Sequence, residues 1–185
     1  MPKRDGSFKR MEELSVTERL AEPNCCQKHW YDFLALRLKG MSVLDVGAGT
    51  GYGIDTFREV GIVVHGIDPL PLRKDIEGTT VQRIASKSYD AVIAVDVIEH
   101  VEDDIDFFAN MTRVARKCVF LSTPNWDVSH AVNPYHVREY TPKELTGFLS
   151  GYTYTPFTSD GAARIWPVTT LAEASNNFGV MVNVK

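Results

Sequence analysis

Four glycines fall within seven residues, at positions 47, 49, 51 and 53, in the run VLDVGAGTGYG. Glycine has no Cβ, so it turns the chain at positive φ and lets bare backbone approach a ligand. The run follows an apolar stretch, MSVLDVG, and leads into a helical segment. The unpaired N–H groups of that helix's first turn therefore point into the bend. An ordinary strand-to-helix turn needs fewer glycines. The stretch thus calls for a strand, a helix and a ligand-sized opening over their junction.

The rest of the pattern supplies the surroundings of such a unit. From Met41 on, the apolar stretches MSVLDVG, IVVHGID, TTVQRIA, YDAVIAVDV and KCVFLSTPN alternate with helical or turn segments, the signature of a doubly wound α/β sheet. HWYDFLALRLKG reads as a helix with Trp30, Phe33, Leu34 and Leu38 at helical spacing, closed by Gly40. Between the fourth and fifth strands, Val101, Ile105, Phe108, Thr112 and Ala115 form one helical stripe. TPKEL opens a further helix with Thr141 as cap, Pro142 in its first turn and Glu144 completing a capping box. YTYTPFT and GVMVNVK read as a closing antiparallel pair. Only PLPLRKDIEG precedes the third strand and about five residues follow it, too few for crossover helices, so that edge of the sheet is trimmed. The expected organisation is a polar N-terminal segment with some helix over 1–27 and one domain over 28–185.

Twenty basic and twenty-four acidic side chains give a net charge of −4. That balance argues against a broad phosphate-binding face, so nucleic acid is not the expected partner. The one basic cluster, with Lys3, Arg4, Lys9 and Arg10, reads as a solvated terminus. Cys25, Cys26 and Cys118 form neither a disulfide ladder nor a zinc spacing, which fits a reducing cytoplasm. The sequence suggests neither a signal peptide nor a membrane span.

The glycines recur at every second position, unlike the G-x-G-x-x-G of dinucleotide sites, and Asp45 precedes the first of them by two residues. A carboxylate there repels a pyrophosphate and suits a cationic ligand, which disfavours a nicotinamide-dependent oxidoreductase. Asp68 ends the second strand, where an acid accepts hydrogen bonds from ribose hydroxyls. A ribose with a cationic amino-acid tail describes S-adenosylmethionine.

On these residues the chain resembles a known family. DVGAGTG (45–51) with Asp68 is similar to the first motifs of class I S-adenosylmethionine-dependent methyltransferases, and YDAVIAVDVIEHVED to their fourth-strand motif. LSTPN and HVREYTPKEL continue the similarity, close to the branch of ubiquinone-pathway, sugar and natural-product O-methyltransferases. The resemblance implies a Rossmann-like, mostly parallel seven-stranded sheet in the order 3-2-1-4-5-7-6 with the last strand antiparallel. It implies S-adenosyl-L-methionine as methyl donor and S-adenosyl-L-homocysteine as product. Gly47, Ala48 and Gly49 would line the methionine moiety, Asp68 and Pro69 would hold ribose and adenine, and Asp96 and Val97 would border the cofactor. Asp45, Gly51 and Tyr52 complete the set expected at the turn. The family's usual acid after the third strand is missing; IASKSYD offers Ser86 and Ser88, so either a backbone carbonyl or Ser86 serves there, or adenine is held mainly by packing.

Asp96, Glu99 and His100 lie at the mouth of the fourth strand, and three readings compete for them. Asp96-x-x-Glu99 has the form of a capping box. Alternatively, His100, with His136 from the loop after the fifth strand and Glu99 beside it, deprotonates a methyl acceptor. Or Asp96, Glu99, His100 and His136 hold a metal, in resemblance to the small-RNA 3′-terminal 2′-O-methyltransferases. Asn125, Trp126, Tyr135, Arg138 and Tyr140 would roof the acceptor cleft, and Trp30 and Tyr31 would close the cofactor from the N-terminal side. His29 and His65 read as structural. The expected function is methyl transfer to a hydroxyl, or less readily an amine, of a small molecule or sugar, with a catalytically silent cofactor-binding subunit as the non-enzymatic rival.

Overall fold

The computed structural model describes residues 15, 17, 27–130, 133–161 and 164–184. Cys25, Cys26 and the basic cluster at the N-terminus lie outside the described residues. In chain order the elements are α1 (Lys28–Arg37), β1 (Ser42–Val46), α2 (Tyr52–Glu59), β2 (Val63–Asp68), β3 (Ile76–Gly78), β4 (Tyr89–Val95), α3 (Asp104–Val114), β5 (Ala115–Pro124), α4 (Trp126–Ser129), α5 (Pro142–Phe148), β6 (Tyr154–Ser159), β7 (Ile165–Pro167) and β8 (Asn177–Asn183).

The strands form one sheet in the order β3-β2-β1-β4-β5-β8-β6-β7. The first five are parallel, whereas β8 runs antiparallel to β5 and β6 antiparallel to β8. This is the expected Rossmann-like methyltransferase arrangement with one strand added. β7, which the sequence reading passed over, pairs antiparallel with β6 at the edge. A three-residue segment ending in Pro167 is a weak strand signal, and proline is tolerated there because an edge strand need not donate on both sides.

The central parallel strands β1, β4 and β5 bury both faces, as helices cover both. Val43, Ile93 and Phe120 pack with Trp30, Phe33 and Leu34 of α1, while Leu44, Val92, Val119 and Leu121 pack with Phe107, Phe108 and Met111 of α3. The buried stripe of α3 is Asp104, Phe107, Phe108, Met111 and Val114. The expected stripe was one position out: Ile105 is exposed and Ala115 opens β5. One position is a rotation of about 100°, and it turns Asp104 inward, where Arg138 and Tyr140 meet its carboxylate.

The trimmed edge has a geometric cause. β3 pairs with Gly66, Ile67 and Asp68 only, so the chain returns just a few residues' length, roughly 3.3 Å each, and the short segment 69–75 suffices without a helix. The third strand is therefore Ile76–Gly78, not TTVQRIA. Val81–Arg83 of that run forms a 3₁₀ turn with Val81 buried beneath α3. The capping box of α5 forms as expected, Thr141 accepting from the Glu144 N–H and Glu144 accepting from the Thr141 N–H.

Candidate active site

The glycine turn folds over the end of β2. The Gly47 and Ala48 N–H groups donate to the Ile67 carbonyl at 2.8 and 3.0 Å, and Gly51 N–H donates to Ala48 O at 2.8 Å. Gly47, Gly49 and Gly51 have φ of +75°, +52° and +80°, a region that costs other residues about 1–2 kcal/mol. A Cβ at Gly47 would stand 2.7 Å from Val97, whereas one at Gly49 would meet nothing nearer than 3.9 Å. Gly49 thus offers bare backbone to an open side. The fourth glycine does a different job: a Cβ at Gly53 would lie 2.1 Å from the Tyr31 ring, so Gly53 is where α1 closes on α2.

Asp68 fastens this turn to the strand end. One carboxylate oxygen accepts from Gly49 N–H at 3.0 Å and the other from Leu70 N–H at 2.8 Å. Pro69 follows, exposed at the rim, and Tyr52 opens α2 half-buried beside Tyr31. Asp45 lies below, fully buried. Its Oδ1 accepts from Tyr31 O–H at 3.3 Å, and its Oδ2 has no partner among the described residues. Burial pushes the Asp45 carboxyl up to about 7, against the Tyr31 hydrogen bond that favours its ionised form. An orphaned buried carboxylate, open backbone at Gly49 and an acid at the strand end fit the cationic tail and the ribose of a sulfonium nucleoside. They fit a pyrophosphate poorly, which removes the dinucleotide reading.

Asp96 is not the cap of a capping box. It takes φ +52°, and its carboxylate accepts from Ser122 Oγ at 2.6 Å and Asn177 Nδ2 at 3.3 Å. Asn177 Oδ1 in turn accepts from Trp30 Nε1 at 2.9 Å. Antiparallel pairing sets Asn177 opposite Pro124, and this register brings it to the edge where β4 ends. Burial raises the Asp96 carboxyl, with Ser122 and Asn177 opposing. The acids farther on do start the next helix, since Asp103 accepts from Asp106 N–H.

Val97, in contact range of Gly47, leads into the 3₁₀ turn Ile98–His100. Over that turn lies segment 133–140, whose Val137 N–H donates to Glu99 O at 2.8 Å. His100 Nδ1 is 2.9 Å from Tyr135 O, and His136 Nδ1 is 2.9 Å from Glu139 Oε1. A carbonyl can only accept, as can an ionised carboxylate, so both Nδ1 atoms carry a proton, and whenever either ring is neutral its Nε2 is the nitrogen with the lone pair. The rings meet edge to face with centroids 4.8 Å apart. Glu99 is 1% exposed and neither carboxylate oxygen has a hydrogen-bond partner among the described residues. Burial, then the charge of Asp96, holds its carboxyl well above the usual range; the Thr123 hydroxyl lies near enough to oppose this weakly but lacks hydrogen-bond geometry. Ligand atoms of Glu99, His100 and His136 all fall within 4.8 Å of one another. Burial, then the neighbouring His136, pushes the His100 imidazole down to about 4.

Several residues expected at the site stand elsewhere. Ser86 accepts from Arg113 Nη1 at 3.0 Å, beside Lys87, whose N–H bonds to Arg113 O at the starting edge of β4. The glycine turn lies at the opposite edge, so Ser86 does not reach it. Asn125, Arg138 and Tyr140 are buried braces rather than a cleft roof, Asn125 holding the Ala174 and Ser175 carbonyls. Trp30 is fully buried and Tyr31 nearly so. Trp126, half-buried, packs against the His130 ring. His29 and His65 are structural as expected, bonded to Ser159 and Tyr89. Ser122, Asn177, Glu139 and Asp104 were not singled out from sequence. Only Glu139 carried a usable signal, three residues after His136.

A family model described as a methyltransferase domain matches residues 18–179. A probable S-adenosylmethionine-dependent methyltransferase of Mycolicibacterium smegmatis is 35% identical over 139 residues, covering 64% of this chain and 54% of that protein. A ubiquinone biosynthesis O-methyltransferase of Rhodopseudomonas palustris is 33% identical over 105 residues, 48% of this chain and 38% of that protein. The chain thus spans about half the length of the first curated relatives it matches. Among solved structures, a possible histamine N-methyltransferase of Thermotoga maritima superposes with a TM-score of 0.69 at 13% identity, over 92% of this chain and 97% of that one. Among the described residues no helix is long and apolar enough to cross a membrane.

Proposed function

The chain belongs to the class I S-adenosylmethionine-dependent methyltransferases, and from that premise we propose that it methylates a hydroxyl of a small molecule. S-adenosylmethionine supplies an electrophilic methyl group. The turn 47–51 would hold its methionine part, Asp45 its ammonium group, and Asp68 its ribose. The carrying observation is the pair of imidazoles at the strand ends, ring centroids 4.8 Å apart and each fixed through its Nδ1. A neutral amine brings its own lone pair to a methyl carbon, whereas a hydroxyl gains from a base that removes its proton. His136 is the better base. Glu139 on its Nδ1 stabilises the imidazolium formed when Nε2 takes a proton, while His100, held near 4, stays neutral and accepts a hydrogen bond. The similarity to ubiquinone biosynthesis O-methyltransferases supports an oxygen acceptor. The test is calorimetry with S-adenosylhomocysteine: Asp68→Ala removes the partner of two N–H groups, each charge-assisted bond contributing about 1.5–3 kcal/mol, and binding should weaken by ~10-fold or more. Undiminished affinity in Asp68→Ala would overturn the cradle. Tight binding by the parent with no methyl transfer to any extract fraction would favour a silent cofactor-binding subunit.

One observation favours a second reading. Ligand atoms of Glu99, His100 and His136 lie within 4.8 Å of one another, and Glu99 has no donor among the described residues. They need a shared proton or a cation. Mixed oxygen and nitrogen ligands suit Mn²⁺ or Zn²⁺, and a metal there would fit an RNA 3′-terminal 2′-hydroxyl acceptor by the resemblance noted above. Titration of metal-free protein with Mn²⁺ decides: no heat of binding, together with transfer insensitive to chelator, leaves the proton.

A further inference from the structure

Asp104 is an acid buried at the first turn of α3, 5% exposed, with no part in the chemistry above. Its Oδ2 accepts from Arg138 Nη1 and from Tyr140 O–H, the latter at 2.7 Å. Arg138 and Tyr140 are two residues apart, and Glu139 between them turns the other way, to His136. That is the alternation of extended chain, in which neighbours face opposite sides. Tyr140 is further fixed by a parallel bridge to Asn125, with Trp126 N–H on its carbonyl at 3.0 Å. Anchoring residues 138 and 140 on one side therefore aims residue 139 on the other.

We propose that Asp104 is a positioning residue: by gripping Arg138 and Tyr140 it sets Glu139 against His136 Nδ1 and so fixes the His136 tautomer and its place beside His100. The grip also presses segment 133–140 onto the Ile98–His100 turn, where the Val137 N–H meets Glu99 O. The proposal rests on the reading of His136 as the acceptor-side base, and its test is independent of that reading. Full-length protein labelled with ¹⁵N in histidine rings is compared with Asp104→Asn, both saturated with S-adenosylhomocysteine. The parent should show His136 protonated at Nδ1. In Asp104→Asn, which keeps the shape but not the charge opposite Arg138, the His136 ring should shift to a mixture of tautomers while S-adenosylhomocysteine affinity stays within about twofold, the cradle being built elsewhere. Unchanged His136 ring signals overturn the proposal. Should Asp104→Asn not fold, Tyr140→Phe removes one of the two donors and should move the same signals in the same direction; signals that stay put again overturn it. His136→Gln judges the reading instead: radiolabelled methyl transfer to the small-molecule fraction of a cell extract should fall about tenfold or more. Full transfer there would sink His136 as base and leave the grip to the ring spectra.

Discussion

The two halves of the site are made of different material. The cradle around residues 45–51 and Asp68 is chiefly backbone: turn N–H groups, positive φ angles and one carboxylate that ties Gly49 to Leu70. The acceptor side, from Asp96 to His100 and from Asn133 to Tyr140, is chiefly side chain: imidazoles, carboxylates and the groups that orient them. Backbone geometry tolerates few substitutions but needs few partners. Side-chain geometry can be retuned residue by residue, provided each group keeps its brace. On the proposed reading, the cofactor half would be the constant part of the molecule and the acceptor half the part that sets specificity.

Substitutions can break this contrast, and the largest effect should come from the cradle. Gly47→Ala puts a Cβ 2.7 Å from Val97 on top of a φ of +75°, costing about 1–3 kcal/mol of strain, and should lower both the melting temperature and S-adenosylhomocysteine affinity. Gly49→Ala has open space and φ +52°, so it should melt nearer the parent while still losing affinity, because its methyl group enters the cradle. Equal melting losses in the two variants would mean that the contact with Val97 is not what couples the halves.

A smaller effect is expected at Asp45. Its carboxyl is raised to about 7 in the folded chain against roughly 3.9 when unfolded, so the native state holds a proton that the unfolded state releases. Stability from this group is present below about pH 4 and is lost as pH rises toward 7. Asp45→Asn should accordingly raise the ligand-free melting temperature at pH 8, by a few degrees as an order of magnitude, change little at pH 4, and weaken S-adenosylhomocysteine binding. Thermal melts at the two pH values check the sign; a larger gain at pH 4 would refute it.

The smallest effect should be Thr141→Ala. It removes the cap of α5 just beyond the acceptor segment and should cost about 1 kcal/mol of stability, read by denaturant melts. S-adenosylhomocysteine affinity and the His100 and His136 ring signals should not move. A change in those signals would extend the acceptor half into α5.

The sheet and the cradle were legible because their signals are contiguous. Short apolar strands, the glycine run and the acid ending β2 act through neighbouring backbone, so their spacing, the charges of Asp45 and Asp68 and the resemblance they carry led to the nucleoside. TTVQRIA misled because β-branched residues score as strand wherever they stand, whereas pairing with β2 is available only to Ile76–Gly78. Ser86 followed that error to the wrong edge. Asp96 read as a cap because Glu99 lies three residues on, yet its partners are Ser122 and Asn177, 26 and 81 residues away.

By itself the sequence determined the parallel α/β architecture, the bend at 47–51 and the placing of Asp45 and Asp68 around it, since a residue's φ preference and a strand's periodicity are local properties of the chain. Tertiary structure alone decided which nitrogen of His100 and His136 is held, that Glu99 is left without a donor among the described residues, and that Asp104 turns inward to Arg138 and Tyr140. Those outcomes depend on what long-range packing brings within hydrogen-bond distance and on how much water it removes, and neither quantity is written in the order of the residues.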